Sequence, residues 1–174
     1  MPTHVAFLRG MNLGGRRLTN DRLRAAFGAI GFTGVITYRA SGNVLLTVSN
    51  SEGLVGRIEQ GLEAQLGYPV PTVVRTTAQV VEIAAFDALD RRGADDGKLQ
   101  VTMLRDAPDE ATRAAVLAHA TADDQLAFGR SELFWLPRGG VLETGLDLKA
   151  IDGLLGLGTM RTMGTIEALA KRCG

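Results

Sequence analysis

The stretch Phe7-Leu8-Arg9-Gly10-Met11-Asn12-Leu13-Gly14-Gly15-Arg16-Arg17-Leu18-Thr19 gathers the groups that hold an anion. An apolar run leads into a loop with three arginines and three glycines, and Thr19 then offers a helix N-cap. Backbone N–H groups, a helix N-terminus and guanidinium groups can converge there on one phosphate or carboxylate, and an arginine can bind it bidentately. The spacing is neither known phosphate loop: no Gly-Lys-Ser/Thr follows, and Gly10-x-x-x-Gly14-Gly15 is not G-x-G-x-x-G. Two readings stay open, an anion cradle or a tight strand-to-helix turn whose arginines are solvated.

A second polar group lies at Arg39, Ser41 and Asn43, in a turn between two strand-like runs. If the chain folds as a split βαβ unit, strands one and three are central neighbours. Antiparallel pairing then brings Arg9, at the end of one, beside Asn43, at the start of the other. The candidate anion site is therefore Arg9, Asn12, Gly14, Gly15, Arg16, Arg17, Arg39, Ser41 and Asn43, with Arg161 as a contributor from the second half. An ordinary hairpin turn whose Asn and Ser bond their own backbone is the competing reading.

Catalytic groups are harder to find. His4 starts a strand and His119 ends a helix, and neither has a triad or metal motif around it, so no metal site and no cofactor are expected. Asp95-Asp96 and Asp123-Asp124 read as solvated turns, and Trp135 as strand packing rather than a stacking platform. Cys173 is the one cysteine, which excludes an intramolecular disulfide or a cysteine-built zinc site.

Charge supports the anion reading. Residues 1–51 carry six arginines and one acid, a formal +5, and residues 52–174 carry 13 basic and 18 acidic residues, a formal −5. The neutral total hides this polarity. The 45% hydrophobic and 22% charged composition is that of a folded domain. The N-terminus Met1-Pro2-Thr3-His4-Val5 lacks the features of a signal peptide, and no apolar run approaches the ~20 residues of a membrane span. A soluble cytoplasmic protein with no membrane partner is expected.

The elements that must position these residues follow from periodicity. Residues 4–9 form a short apolar strand. Leu23, Phe27 and Ile30 then recur at helical spacing from Thr19 until Gly31. Residues 35–39 and 43–48 read as a hairpin, Ser51 as the cap of a second helix ended by Gly67, and residues 69–74 as a strand. The order β-α-β-β-α-β is that of a ferredoxin-like unit. A helix from Thr77 to about residue 87 and a polar linker at residues 90–98 follow. Next come a strand at 99–104, a helix opened by Pro108, a hairpin at 125–128 and 132–136, and a helical stretch at 146–155. Residues 159–162 read as the approach to a last helix from about Gly164. The fold class is thus α+β, two similar ferredoxin-like (β-α-β-β-α-type) halves, 1–76 and 77–174, with a C-terminal helix.

These residues also resemble a family. Phe7-Leu8-Arg9-Gly10-Met11-Asn12-Leu13-Gly14-Gly15, Leu23, Gly31-Phe32, Ser41-Gly42-Asn43-Val44, Val73-Val74-Arg75-Thr76 and Phe134-Trp135-Leu136-Pro137 resemble the bacterial family catalogued as domain of unknown function 1697. The resemblance implies two similar α+β units and brings no established activity. It also implies a threonine-threonine-arginine-asparagine-tryptophan-asparagine-threonine segment. Here that segment reads Thr159-Met160-Arg161-Thr162-Met163-Gly164-Thr165, which keeps the arginine and loses both asparagines and the tryptophan.

Three functions compete. The first is binding of a phosphate-bearing partner, a nucleotide or nucleic acid, at the basic loop. The second is a small enzyme acting on an anionic metabolite, for which no titrating residue can be named. The third is an interaction or assembly role, in which the charge asymmetry drives self-association.

Overall fold

The computed structural model describes residues 1–11, 18–39, 42–87, 89 and 97–173. Its chain order is β1 (His4–Leu8), α1 (Asn20–Ala29), β2 (Ile36–Tyr38), β3 (Asn43–Leu46), α2 (Leu54–Leu66), β4 (Thr72–Thr76), α3 (Thr77–Ala84), β5 (Gln100–Leu104), α4 (Glu110–Leu117), β6 (Asp124–Phe128), β7 (Glu132–Pro137), α5 (Leu148–Leu155), β8 (Gly158–Thr162) and α6 (Met163–Cys173). A 3-10 turn, Val141–Glu143, precedes α5. The chain divides into two compact units, Met1–Val81 with Leu169–Gly174, and Glu82–Ala168.

Each unit holds a four-stranded antiparallel sheet, ordered β2-β3-β1-β4 in the first and β6-β7-β5-β8 in the second, the ferredoxin-like order in both. In the first unit α1 and α2 lay Leu23, Ala26, Phe27, Leu54, Ile58 and Leu62 on Ala6, Leu8, Val44 and Leu46. Burying each such Leu, Ile or Phe contributes about 1.5–3 kcal/mol. In the second unit Val116 and Ile151 join Leu126, Leu133 and Trp135. The central strands β1 and β3 are buried on both faces, which is why they read as continuous apolar runs rather than alternating ones.

The two units repeat one frame, bond for bond. The amide of Leu8 donates to the Gly42 carbonyl, as that of Leu104 donates to Ser131. The amide of Arg9 donates to Pro71 (2.8 Å), as that of Arg105 donates to Leu157 (2.9 Å). Opposite β1, Val5 pairs with Arg75; opposite β5, Val101 pairs with Arg161. Both fourth strands run straight into a helix whose first turn is tied by side chains. Thr76 and Gln79 exchange hydrogen bonds as a capping box, and Thr162 and Thr165 share one at 3.0 Å.

Several local expectations need correcting. The stretch Gly158–Thr162 is a strand, not only an approach to the last helix. Its single buried residue is Thr159, so no apolar run marks it. Ser51 does not cap α2: Gly53, at φ 60°, is the cap residue, and the Ser51 carbonyl receives the Leu54 amide. Pro108 stands one residue before the true cap of α4, Asp109, whose carboxylate accepts from the Thr112 amide. The fourth strand of the first sheet starts at Thr72 rather than residue 69, after the two prolines have passed. Residues 90–96, most of the expected linker, lie outside the described residues.

Candidate functional site

Antiparallel pairing of β1 with β3 sets Phe7 opposite Asn43 and bonds Leu8 to Gly42. The end of β1 and the β2–β3 turn therefore share one end of the first sheet. Gly42 lies at φ 72°, and a β-carbon there would sit 3.0 Å from the Leu8 β-carbon and from the Met11 thioether. That close approach requires glycine and packs the turn on the root of the basic loop. Met11 and Leu18, at the two ends of the loop, are both buried in the first core.

The candidate residues divide by role. Arg9 is exposed just past β1, and its guanidinium makes no hydrogen bond or ion pair among the described residues. Arg39 is also exposed and adopts φ 55°, the one positive φ of a described non-glycine residue. Its Nε donates to the Tyr38 hydroxyl at 3.2 Å. Asn43 is fully buried and its Nδ2 donates to the Tyr38 carbonyl at 3.1 Å, so this amide holds the hairpin closed. Asn12, Gly14, Gly15, Arg16, Arg17 and Ser41 lie outside the described residues.

Arg161 belongs to the second unit, on β8. Its Nη1 donates to the Thr159 hydroxyl (2.8 Å) and the Met160 carbonyl (2.7 Å). Burial pushes its pKa down to about 10. The matching position in the first sheet is Arg75, which is buried where Arg161 is half-buried, and whose Nη1 donates to the Val74 carbonyl.

Two features escaped the sequence reading. The first is Arg172, whose guanidinium lies over the Tyr38 ring at 4.3 Å, joining the last turn of α6 to the hairpin. The pair is separated by more than a hundred residues, and only the Lys171-Arg172 doublet hinted at a basic helix end. The second is Asp124, which is not a solvated turn residue but is 2% exposed. Its Oδ1 accepts from Trp135 Nε1 and Thr144 Oγ1, both at 2.8 Å, and its Oδ2 meets Thr121 Oγ1 at 3.1 Å. The need of buried Trp135 for an acceptor was the available signal. Asp95 and Asp96 lie outside the described residues. Cys173 falls within α6, where burial raises its pKa, opposite to the shift of a reactive thiol.

The repeat supplies an internal comparison. Between β1 and α1 the chain uses eleven residues, 9–19; between β5 and α4 it uses five, 105–109. Both connections begin with the same arginine amide bond to the strand-four side, and both end in a capped helix, Thr19 accepting from Arg22 and Asp109 from Thr112. The short version holds one arginine and two aspartates. The long version holds three arginines, three glycines and no acid.

No helix of the described residues is long and apolar enough to cross a membrane. No curated protein matches the sequence. Among solved structures, the chain is similar to the conserved bacterial protein SP0830 from Streptococcus pneumoniae, at 18% identity and a TM-score of 0.77 over 99% of this chain and 98% of that one. At that identity the likeness speaks for the fold, the same two-unit architecture. The family model described as Protein of unknown function (DUF1697) matches residues 1–134, more than half of the sequence, and the chain belongs to that family.

Proposed function

We propose that the protein binds a phosphate-bearing ligand, a nucleotide or nucleic acid, at the end of the first sheet formed by residues 9–18 and the 39–43 turn. The observation that carries this reading is the comparison of the two connections. The same frame closes the strand-to-helix passage in five residues in one half and takes eleven in the other, and four of the six surplus residues, 12–17, are glycine or arginine. A turn needed only for geometry has no use for that surplus, whereas an anion site uses both residue types: glycine for close backbone approach, arginine for charge-assisted bonds. Arg9 and Arg39, just past the ends of β1 and β2, are exposed cations. None of Arg9, Arg39 and Asn43 supplies a general base, so the reading is binding rather than catalysis.

Thermal shift tests it directly. The wild type and an Arg9→Ala, Arg16→Ala, Arg17→Ala variant are melted with phosphate, pyrophosphate, ATP and a short oligonucleotide. A ligand at a hundred times its dissociation constant adds about 2.7 kcal/mol. For a chain of this length that is about 5–11 °C. The wild type is expected to shift and the folded variant not to. No shift with any anion, or an equal shift in both proteins, refutes the proposal.

A further inference from the structure

Resting on that reading, we infer that Tyr38 is a positioning residue of the site: its hydroxyl holds the Arg39 guanidinium so that the outer edge takes one phosphate group edge-on. Tyr38 ends β2 and Arg39 follows it. The Arg39 Nε donates to the phenol oxygen at 3.2 Å, and the guanidinium carbon lies 5.4 Å from the ring centroid. A guanidinium is a planar fork of five N–H donors. With Nε engaged, Nη1 and Nη2 make no hydrogen bond or ion pair among the described residues. Those two nitrogens form an edge that binds two oxygens of one phosphate in parallel.

The phenol is itself held. Its ring lies under the Arg172 guanidinium at 4.3 Å, and the Tyr38 carbonyl accepts from the buried Asn43 amide at 3.1 Å. An exposed arginine loses rotamer freedom when it meets a ligand, and a guanidinium held in advance loses less. Arg39 also sits at φ 55°, a backbone conformation that glycine takes freely and a residue with a side chain does not. The second unit shows that the frame needs neither the phenol nor the positive φ. Asn43 stands opposite Phe7, as Glu132 stands opposite Met103. Tyr38 pairs with Asn43, and the matching place beside Glu132 is held by Gly129, whose amide donates to the Glu132 carbonyl. An arginine follows each of them, Arg39 and Arg130. The first copy alone sets a hydroxyl before that arginine and gives the arginine a positive φ.

The test is calorimetric titration of the full chain with pyrophosphate, beside a melt without anions. Tyr38→Phe keeps the ring under Arg172 and the carbonyl that closes the hairpin, and removes the hydroxyl alone. It is expected to weaken pyrophosphate binding about three- to tenfold, with a melting midpoint within about 2 °C of the wild type. Arg39→Gly is expected to bind about tenfold more weakly or worse and to melt no lower, since glycine accepts the left-handed backbone. In the Arg39→Gly background, Tyr38→Phe is expected to change affinity by less than about twofold, because the phenol acts through the guanidinium. Arg39→Lys keeps the charge and loses the fork, and is expected to stay about fivefold or more weaker than the wild type. Unchanged affinity in Tyr38→Phe, an equal loss in both backgrounds, or wild-type affinity in Arg39→Lys overturns this inference and leaves the proposed function standing. So does a Tyr38→Phe midpoint lowered by about 5 °C or more, which would make the hydroxyl a support of the hairpin. Binding of an oligonucleotide but not of pyrophosphate does the same. A wild type that binds neither pyrophosphate, ATP nor an oligonucleotide overturns both.

Discussion

Deleting residues 12–17 turns the eleven-residue connection into Arg9-Gly10-Met11-Leu18-Thr19, the length that the second half uses. The deletion keeps the buried anchors Met11 and Leu18, the Arg9 amide bond to Pro71 and the Thr19 cap. Loop-closure entropy scales as (3/2)RT ln n, so shortening from eleven to five stabilises the fold by about 0.7 kcal/mol. That is roughly 1–3 °C for a chain of this size. Removal of Arg16 and Arg17 from a region of formal charge +5 acts in the same direction. A differential scanning melt without anions is therefore expected to show a midpoint unchanged or slightly raised, and the same protein is expected to lose its shift with pyrophosphate or ATP. A midpoint lowered by 5 °C or more would show that residues 12–17 are structurally required, and the argument from the second half would fail. A retained anion shift at unchanged stability would move the ligand elsewhere.

The other two predictions concern stability. Asp124→Ala removes the acceptor for Trp135 Nε1 and the Thr144 hydroxyl in a buried setting, with an expected cost of about 3–5 kcal/mol and a melting midpoint lower by about 6–20 °C. Asp124→Asn keeps one carbonyl acceptor and is expected to lose less, and equal losses in the two variants would deny the hydrogen bonds their role. His4 has its pKa lowered from 6.5 by burial, so the unfolded chain binds its proton more tightly and stability falls as pH drops through 6.5 toward the folded-state value. The difference in melting midpoint between pH 7.5 and pH 5 is expected to shrink in His4→Gln, and a difference that stays the same would rule out this origin.

Elements with an apolar stripe and a stop signal were legible in the sequence. Leu23 and Phe27 set α1, and Gly31, at φ 99°, closes it where expected. Gly67, at φ 79°, ends α2 as its position suggested. The strand β8 was not legible, because an edge strand of the composition Gly-Thr-Met-Arg-Thr is held by its ladder to β5 and not by a buried apolar face. Of the candidate site, the meeting of Arg9 with the 39–43 turn followed from topology alone, since antiparallel central strands fix which ends coincide. The contribution of α6 did not, because the Arg172–Tyr38 contact joins residues 134 positions apart with no motif at either end.

Two copies of one frame let fold and function be told apart within a single chain. What both copies keep is what the frame requires: the strand-one amide bonds to Pro71 and Leu157, the capped helices, and an arginine opposite Val5 and Val101. What they do not share is open to other duties. At the hairpin the second copy uses Arg113 as a clamp, its guanidinium donating to the Pro108, Gly129 and Arg130 carbonyls and lying 5.1 Å from the Phe128 ring. The first copy places its hairpin arginine in the left-handed region, where a side chain costs roughly 1–2 kcal/mol, and leaves it exposed. A guanidinium turned inward to three carbonyls stabilises a turn. The Arg39 guanidinium bonds only the neighbouring Tyr38 hydroxyl among the contacts of this hairpin, so in the proposed site it serves the ligand rather than the turn. The same reasoning makes Arg39 a better probe of the proposed site than Asn43, whose amide is needed for the hairpin whether or not an anion binds.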